Sequence, residues 1–114
     1  MIVKVMIKRE VAEGKEKDFF KALKNFRIHA MDQKGYITGE TLICAEAPSK
    51  VMVISQWDSL EDWQAWKSSD IHSELSGVLA SYQKNETVYE PYVYMKWFAA
   101  ADLGFPPPLQ KMKL

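Results

Sequence analysis

Apolar residues along the first segment recur at every second position. Across Ile2 to Arg9, Val3, Val5 and Ile7 alternate with Ile2, Lys4, Met6 and Lys8, which is the period of a strand. From Glu13 the period becomes helical: Phe19, Leu23, Phe26 and Ala30 fall on one side of a wheel, with Lys17, Lys21 and Lys24 opposite. This predicts a surface helix with one buried stripe, the lysines forming its solvated face. It should stop near Met31-Asp32-Gln33-Lys34-Gly35, where glycine and short polar side chains favour a turn.

Two further strands are expected over Tyr36–Cys44 and Lys50–Trp57, both rich in β-branched and aromatic residues. Ala47-Pro48-Ser49 is short enough to join them as an antiparallel hairpin. Asp58 or Ser59 can cap the helix that follows, because Glu61 and Asp62 stand at capping-box spacing. Trp63 and Trp66 lie one turn apart on it. After a break at Ser68-Ser69-Asp70, a second helical piece places Ile71, Leu75, Val78 and Tyr82 on one expected core stripe. Glu86 to Trp97 is the last strand, with Val88, Tyr92 and Tyr94 on one face and Tyr89, Val93, Met95 and Trp97 on the other. Pro91 places it at an edge or a bulge. Strand, helix, strand, strand, helices, strand is the split βαβ order of an α+β, ferredoxin-like fold with a four-stranded antiparallel sheet. The domain is expected over residues 1–98, and Pro106-Pro107-Pro108 gives residues 99–114 the character of an extended arm.

Composition narrows the function classes. A chain of 114 residues suits one core. Fifteen basic residues balance fifteen acidic ones, so no long-range field gathers phosphate or anionic lipid, and nucleic acid is not an expected partner. No apolar run reaches membrane-spanning length, and Met1-Ile2-Val3-Lys4-Val5 reads as a strand rather than a signal peptide. Cys44 is the single cysteine, which excludes an intrachain disulfide. A cytoplasmic protein is the resulting expectation.

Helices cover one face of such a sheet, and the other normally reads polar. Here Ile2 and Met6 oppose Val3 and Val5, while Met52 and Ile54 oppose Val51 and Val53, so both faces are apolar. A homodimer packed through the sheet face would bury that surface.

The stretch Ile54-Ser55-Gln56-Trp57-Asp58-Ser59-Leu60-Glu61-Asp62-Trp63-Gln64-Ala65-Trp66-Lys67-Ser68-Ser69 resembles the strand-to-helix signature of the antibiotic-biosynthesis-monooxygenase family, and Gly35-Tyr36-Ile37-Thr38-Gly39-Glu40 resembles its second strand. The resemblance extends in element order over residues 1–97. It implies a dimeric α/β barrel with a ligand pocket in each subunit between sheet and helices. The activities it spans include cofactor-independent oxygenation of aromatic polyketides, haem degradation, and roles with no established reaction.

On that resemblance Trp66 matches a pocket tryptophan that holds a flat ligand; a core aromatic is the structural alternative. Asp62 stands where polyketide-type members carry asparagine. It could hydrogen-bond a phenolic ligand, or simply favour the dipole at a helix N-terminus. His72 stands where those members carry tyrosine and is the acid/base candidate; otherwise it is a surface histidine. Trp57 and Trp63 read as packing, and His29 as an imidazole favoured near a helix C-terminus. The haem-degrading branch has a strand asparagine and an axial histidine where this chain has Ile7 and Ser76. His29, His72 and Cys44 lack metal-ligand spacing, and no phosphate loop or nucleophile elbow occurs. The leading reading is a monooxygenase without cofactor, acting on a small planar phenol, anthrone or quinol through His72, Trp66 and Asp62. A domain that binds a small ligand without turnover is the alternative, and an interaction module using the proline-rich arm is a third.

Overall fold

A computed structural model describes residues 1–95 and gives the order β1 (Val3–Glu10), α1 (Glu16–Met31), β2 (Tyr36–Ile43), β3 (Lys50–Trp57), α2 (Leu60–Lys67), α3 (Asp70–Ala80) and β4 (Val88–Val93). All pairs in the sheet are antiparallel, in the order β2-β3-β1-β4. This is the α+β ferredoxin-like arrangement expected from the element order. β4 lies at an edge of the sheet, the position expected for a strand that carries Pro91. Lys96, Trp97 and the arm at 99–114 lie outside the described residues.

Strand parity decides which side chains meet the helices. Val3, Val5 and Ile7 of β1 and Val51, Val53 and Trp57 of β3 are buried on the helix side. They pack with Phe19, Leu23, Phe26 and Ala30, the full stripe expected of α1. The Trp57 indole Nε1 donates to Ser55 Oγ at 3.1 Å, so its one polar group is satisfied inside the core. Met6, Met52 and Ile54 point to the opposite face and are half-buried, while Lys17, Lys21 and Lys24 are exposed on α1.

The last helix is turned relative to the expected stripe. His72 and Leu79 are its buried residues, Ile71, Leu75 and Tyr82 pack at the margin, and Val78 is 44% exposed. The rotation follows from the start of α3. Ser69 caps it by accepting from His72 N at 3.2 Å, which sets the first turn with His72 facing inward.

Gly35 joins α1 to β2 at φ +85, and its carbonyl accepts from Asp58 N at 2.8 Å. A Cβ at position 35 would stand 2.6 Å from Asp62 Cγ, so the turn demands glycine for its dihedral angle and for space. Gly14 has a similar φ of +81 with nothing within 4 Å of a Cβ, and separates the two effects. Gly14→Ala should cost about 1 kcal/mol, and Gly35→Ala roughly 2 kcal/mol or more. Urea denaturation of both variants checks this; equal costs would contradict the close approach of α2 to the Gly35 turn.

Candidate functional site

One hydroxyl organises the helical side of the site. Ser69 Oγ donates to the Trp66 carbonyl at 2.7 Å and accepts from His72 N at 3.2 Å, so the turn between α2 and α3 fixes the two candidate side chains relative to each other. Their rings meet edge to face with centroids 5.2 Å apart. Phe26 of α1 lies 5.5 Å from Trp66 and 5.2 Å from His72, and Tyr89 of β4 lies 5.9 Å from His72. This aromatic wall stands over a floor made by Ile7 and Arg9 of β1 and Ser55 of β3. The enclosed cavity has a volume of about 30 Å³, the space of roughly one water molecule.

His72 is buried, which rules out the surface alternative. Burial first, then the positive charges of Lys67 and Arg9, lower its pKa to about 4. The imidazole is therefore neutral at pH 7 and can accept a proton or a hydrogen bond, although as a weak base. Trp66 and His72 are thus brought together. Asp62 is not: it lies at the start of α2 against Gly35, its backbone N–H donating to Ser59 Oγ at 3.1 Å, and it does not line the cavity. Of the residues read as packing, Trp57 and Trp63 are in the core and also border the cavity. His29 is on the outer flank of α1, its Nδ1 2.9 Å from the Asn25 carbonyl oxygen.

The residue that sequence reasoning overlooked is Arg9. It continues the inward parity of Val3, Val5 and Ile7, and only 4% of its surface is exposed. Its guanidinium carbon lies 5.4 Å from the Phe26 ring centroid, and Nε and Nη2 have no hydrogen-bond partner among the described residues. Burial pushes its pKa below the ordinary arginine value, opposed by Tyr89 and reinforced by Arg27. Burial likewise raises the Tyr36 phenol, while Arg27 acts the other way. Among the described residues, two arginines and no carboxylate line this cavity. Strand parity carried the signal; an arginine at the fourth inward position is an anomaly that a charge-based reading assigns to solvent.

Among the described residues no group of three or more histidine, cysteine or acidic side chains is positioned to hold a metal. Ile7 lines the cavity and Ser76 donates to the Ser73 carbonyl at 3.2 Å, so neither position of the haem-degrading pattern supplies a nitrogen ligand. Leu23 and Arg27 line the inner cavity and also an open vestibule of about 370 Å³ between α1 and β2. Arg27 Nη2 donates to Thr41 Oγ1 at 2.6 Å and holds that seam closed.

The depressed His72 pKa makes stability depend on pH. Between about 4 in the folded protein and roughly 6.5 in the unfolded chain, the unfolded state binds more protons, so stability rises with pH across this window. The contribution is complete above the window and lost as pH falls through it, on the order of 2 kcal/mol at most after allowing for residual hydration. His72→Phe should therefore narrow the stability difference between pH 7 and pH 4.5. Imidazole titration by NMR checks the origin: a midpoint near 6.5 would contradict the burial.

Comparison with known proteins agrees with this architecture. The antibiotic biosynthesis monooxygenase family model matches residues 2–76. A cofactor-independent oxygenase from Streptomyces nogalater, SnoaB, superposes with a TM-score of 0.74 at 11% identity, covering 82% of this chain and 92% of that one. A conserved protein from Methanosarcina mazei Go1 gives a TM-score of 0.75 at 20% identity, over 81% and 91% of the two chains. A 42.8 kDa protein in the whiE locus of Streptomyces coelicolor is 25% identical over 79 residues, which are 69% of this chain and 20% of that relative. This chain thus spans about a fifth of that relative's length. Among the described residues no helix is long and apolar enough to cross a membrane. Because the family model matches well over half of the chain, this protein belongs to the antibiotic biosynthesis monooxygenase family.

Proposed function

We propose that the protein is a monooxygenase needing no resident cofactor, acting on a planar, electron-rich phenol, anthrone or quinol in the cavity beneath α2 and α3. The observation that carries this reading is the convergence of Trp66, His72 and Tyr89 on one enclosed, aromatic-walled space. Such a substrate, once ionised, supplies electrons to dioxygen itself. A phenol oxidised to its quinone takes up one dioxygen and releases one water, so no external reductant is needed. The protein then contributes orientation, an apolar setting and a neutral hydrogen-bond acceptor for the substrate hydroxyl. Trp66 presents the ring surface, and neutral His72 accepts from the substrate hydroxyl. Asp62 acts from outside the cavity by holding the Gly35 turn against α2.

An aromatic ring needs a cavity of roughly 150 Å³, several times the enclosed space. The ring enters only if a wall moves, and the α1–β2 seam held by Arg27 and Thr41 borders the vestibule already open to solvent. On the opposite face of the sheet, a groove of about 510 Å³ lies over Met52, Leu42 and Val88. It shares Arg9 with the inner site but none of its aromatics, and its apolar floor supports a homodimer through that face. The cytoplasm remains the proposed location.

Oxygen uptake with candidate anthrones, quinols and phenols tests the activity, without added flavin or metal. Uptake should depend on enzyme, and labelled dioxygen should place one atom in the product. Trp66→Ala and His72→Phe should each lower kcat/KM by about a hundredfold. Recovery of a bound aromatic unchanged after incubation with oxygen would instead support the binding-only reading. Assembly has its own test. Ile54→Glu should give a monomer or aggregate, because a buried unpaired carboxylate is strongly disfavoured, while Lys21→Glu should leave sedimentation unchanged. An intact dimer in Ile54→Glu would remove the sheet face from the interface.

A further inference from the structure

The inner cavity is unusual in its charge. Arg9 enters from β1, Arg27 from α1, Tyr89 from β4, Tyr36 from β2 and His72 from α3, and among the described residues no acidic side chain lines the space. Lys67 of α2 adds a further positive charge close by, its Nζ 4.6 Å from the Tyr89 ring centroid. A guanidinium in such a place normally has a carboxylate partner, because an isolated buried cation is strongly disfavoured. Here Nε and Nη2 of Arg9 have none among the described residues. The Phe26 face, 5.4 Å from the guanidinium carbon, offers a cation–π contact, and Tyr89 favours the charged form by hydrogen bonding, but neither supplies a formal negative charge at pH 7.

His72 does not remedy this. Neutral, and with its pKa lowered to about 4, it is a poor match for a phenol near 10, so direct proton transfer would be unfavourable by roughly a millionfold. A fixed cation removes the difficulty by stabilising the ionised ligand instead. The whole cavity that Arg9 lines, about 30 Å³, takes one oxygen substituent, and the ring that carries it is accommodated only when the α1–β2 seam opens.

We propose that Arg9 is an anion anchor, whose Nε and Nη2, without partners among the described residues, take the ionised oxygen of a planar phenol or enol and so select ligands that can bear a negative charge there. This rests on the cavity being the ligand site. The ligand's O–H bond breaks with the electron pair left on oxygen and the proton passed to solvent, so no oxidant or reductant takes part. Arg9 thereby determines specificity, and His72 positions the ring edge as a neutral acceptor.

The test uses 4-nitrophenol, whose neutral and ionised forms differ in visible absorption, bound to the full chain below the probe's own ionisation midpoint. In the wild type the bound probe should be ionised at least tenfold more than the free probe. Arg9→Met should abolish this excess and Arg9→Lys should retain part of it, since lysine keeps the charge without the fork. Arg9→Met should also melt at the same or a higher temperature, because it removes an unpaired buried charge. A bound probe that titrates like the free one, no saturable binding to the wild type, an excess that persists in Arg9→Met, or a fall in its melting temperature would each overturn the proposal. Oxygen uptake does not enter this readout. A preserved ionisation shift without turnover removes the oxygenase reading and leaves the anchor standing; turnover without the shift does the reverse.

Discussion

Positive charge enclosed among aromatic rings is the constraint around which the helix side of this protein is arranged. Arg9 reaches that space because β1 places every second residue inward, and the parity that buries Val3, Val5 and Ile7 buries the guanidinium too. Burial first, then the charges of Lys67 and Arg9, weaken the basicity of His72, and the proposed negative ligand would answer the same charges. The neighbouring rings of Phe26 and Trp66 supply apolar surface that excludes water, which strengthens both effects. Electrostatics and packing are therefore one design in this site.

The turn between α2 and α3 converts that environment into a defined geometry. Ser69 holds the Trp66 carbonyl and the His72 amide through a single hydroxyl, and Ser59 fixes the start of α2. Gly35 lets the first turn of α2 approach β2 closely enough for Asp62 to rest on its backbone. Asp62 consequently lies against the Gly35 turn rather than facing the cavity. The contrast with the outer sheet face is chemical: Met52, Leu42 and Val88 form an apolar groove there with none of the inner aromatics.

Much of the fold was legible because two periods dominate the chain. The two-residue alternation of β1 and the Phe19, Leu23, Phe26, Ala30 stripe of α1 each identify a buried face without tertiary information. Pro91 marked an edge strand for a local reason, its missing N–H. The α3 face was misread because Val78 counts as apolar and His72 as polar, whereas the Ser69 cap sets the helical phase and turns His72 inward. Trp66 and His72 stand out as candidates through family resemblance alone, and their common cavity depends on the α2–α3 turn. Arg9 escaped notice because residue type outweighed parity. Cavity volume was beyond sequence reasoning altogether, since it depends on how closely α1 meets β2.

If ligand binds on the helix side of the sheet, between Arg9 and the aromatic wall, mapping by NMR during titration with a naphthol shows it most directly. The Trp66 indole N–H and the Arg9 guanidinium signals should move together and saturate at one affinity, with the methyl groups of Met52 and Leu42 unmoved. Because Arg9 borders both spaces, the Trp66 signal decides: saturable shifts at Met52, Leu42 and Val88 with Trp66 unchanged would place the ligand in the outer groove and contradict a site on the helix side.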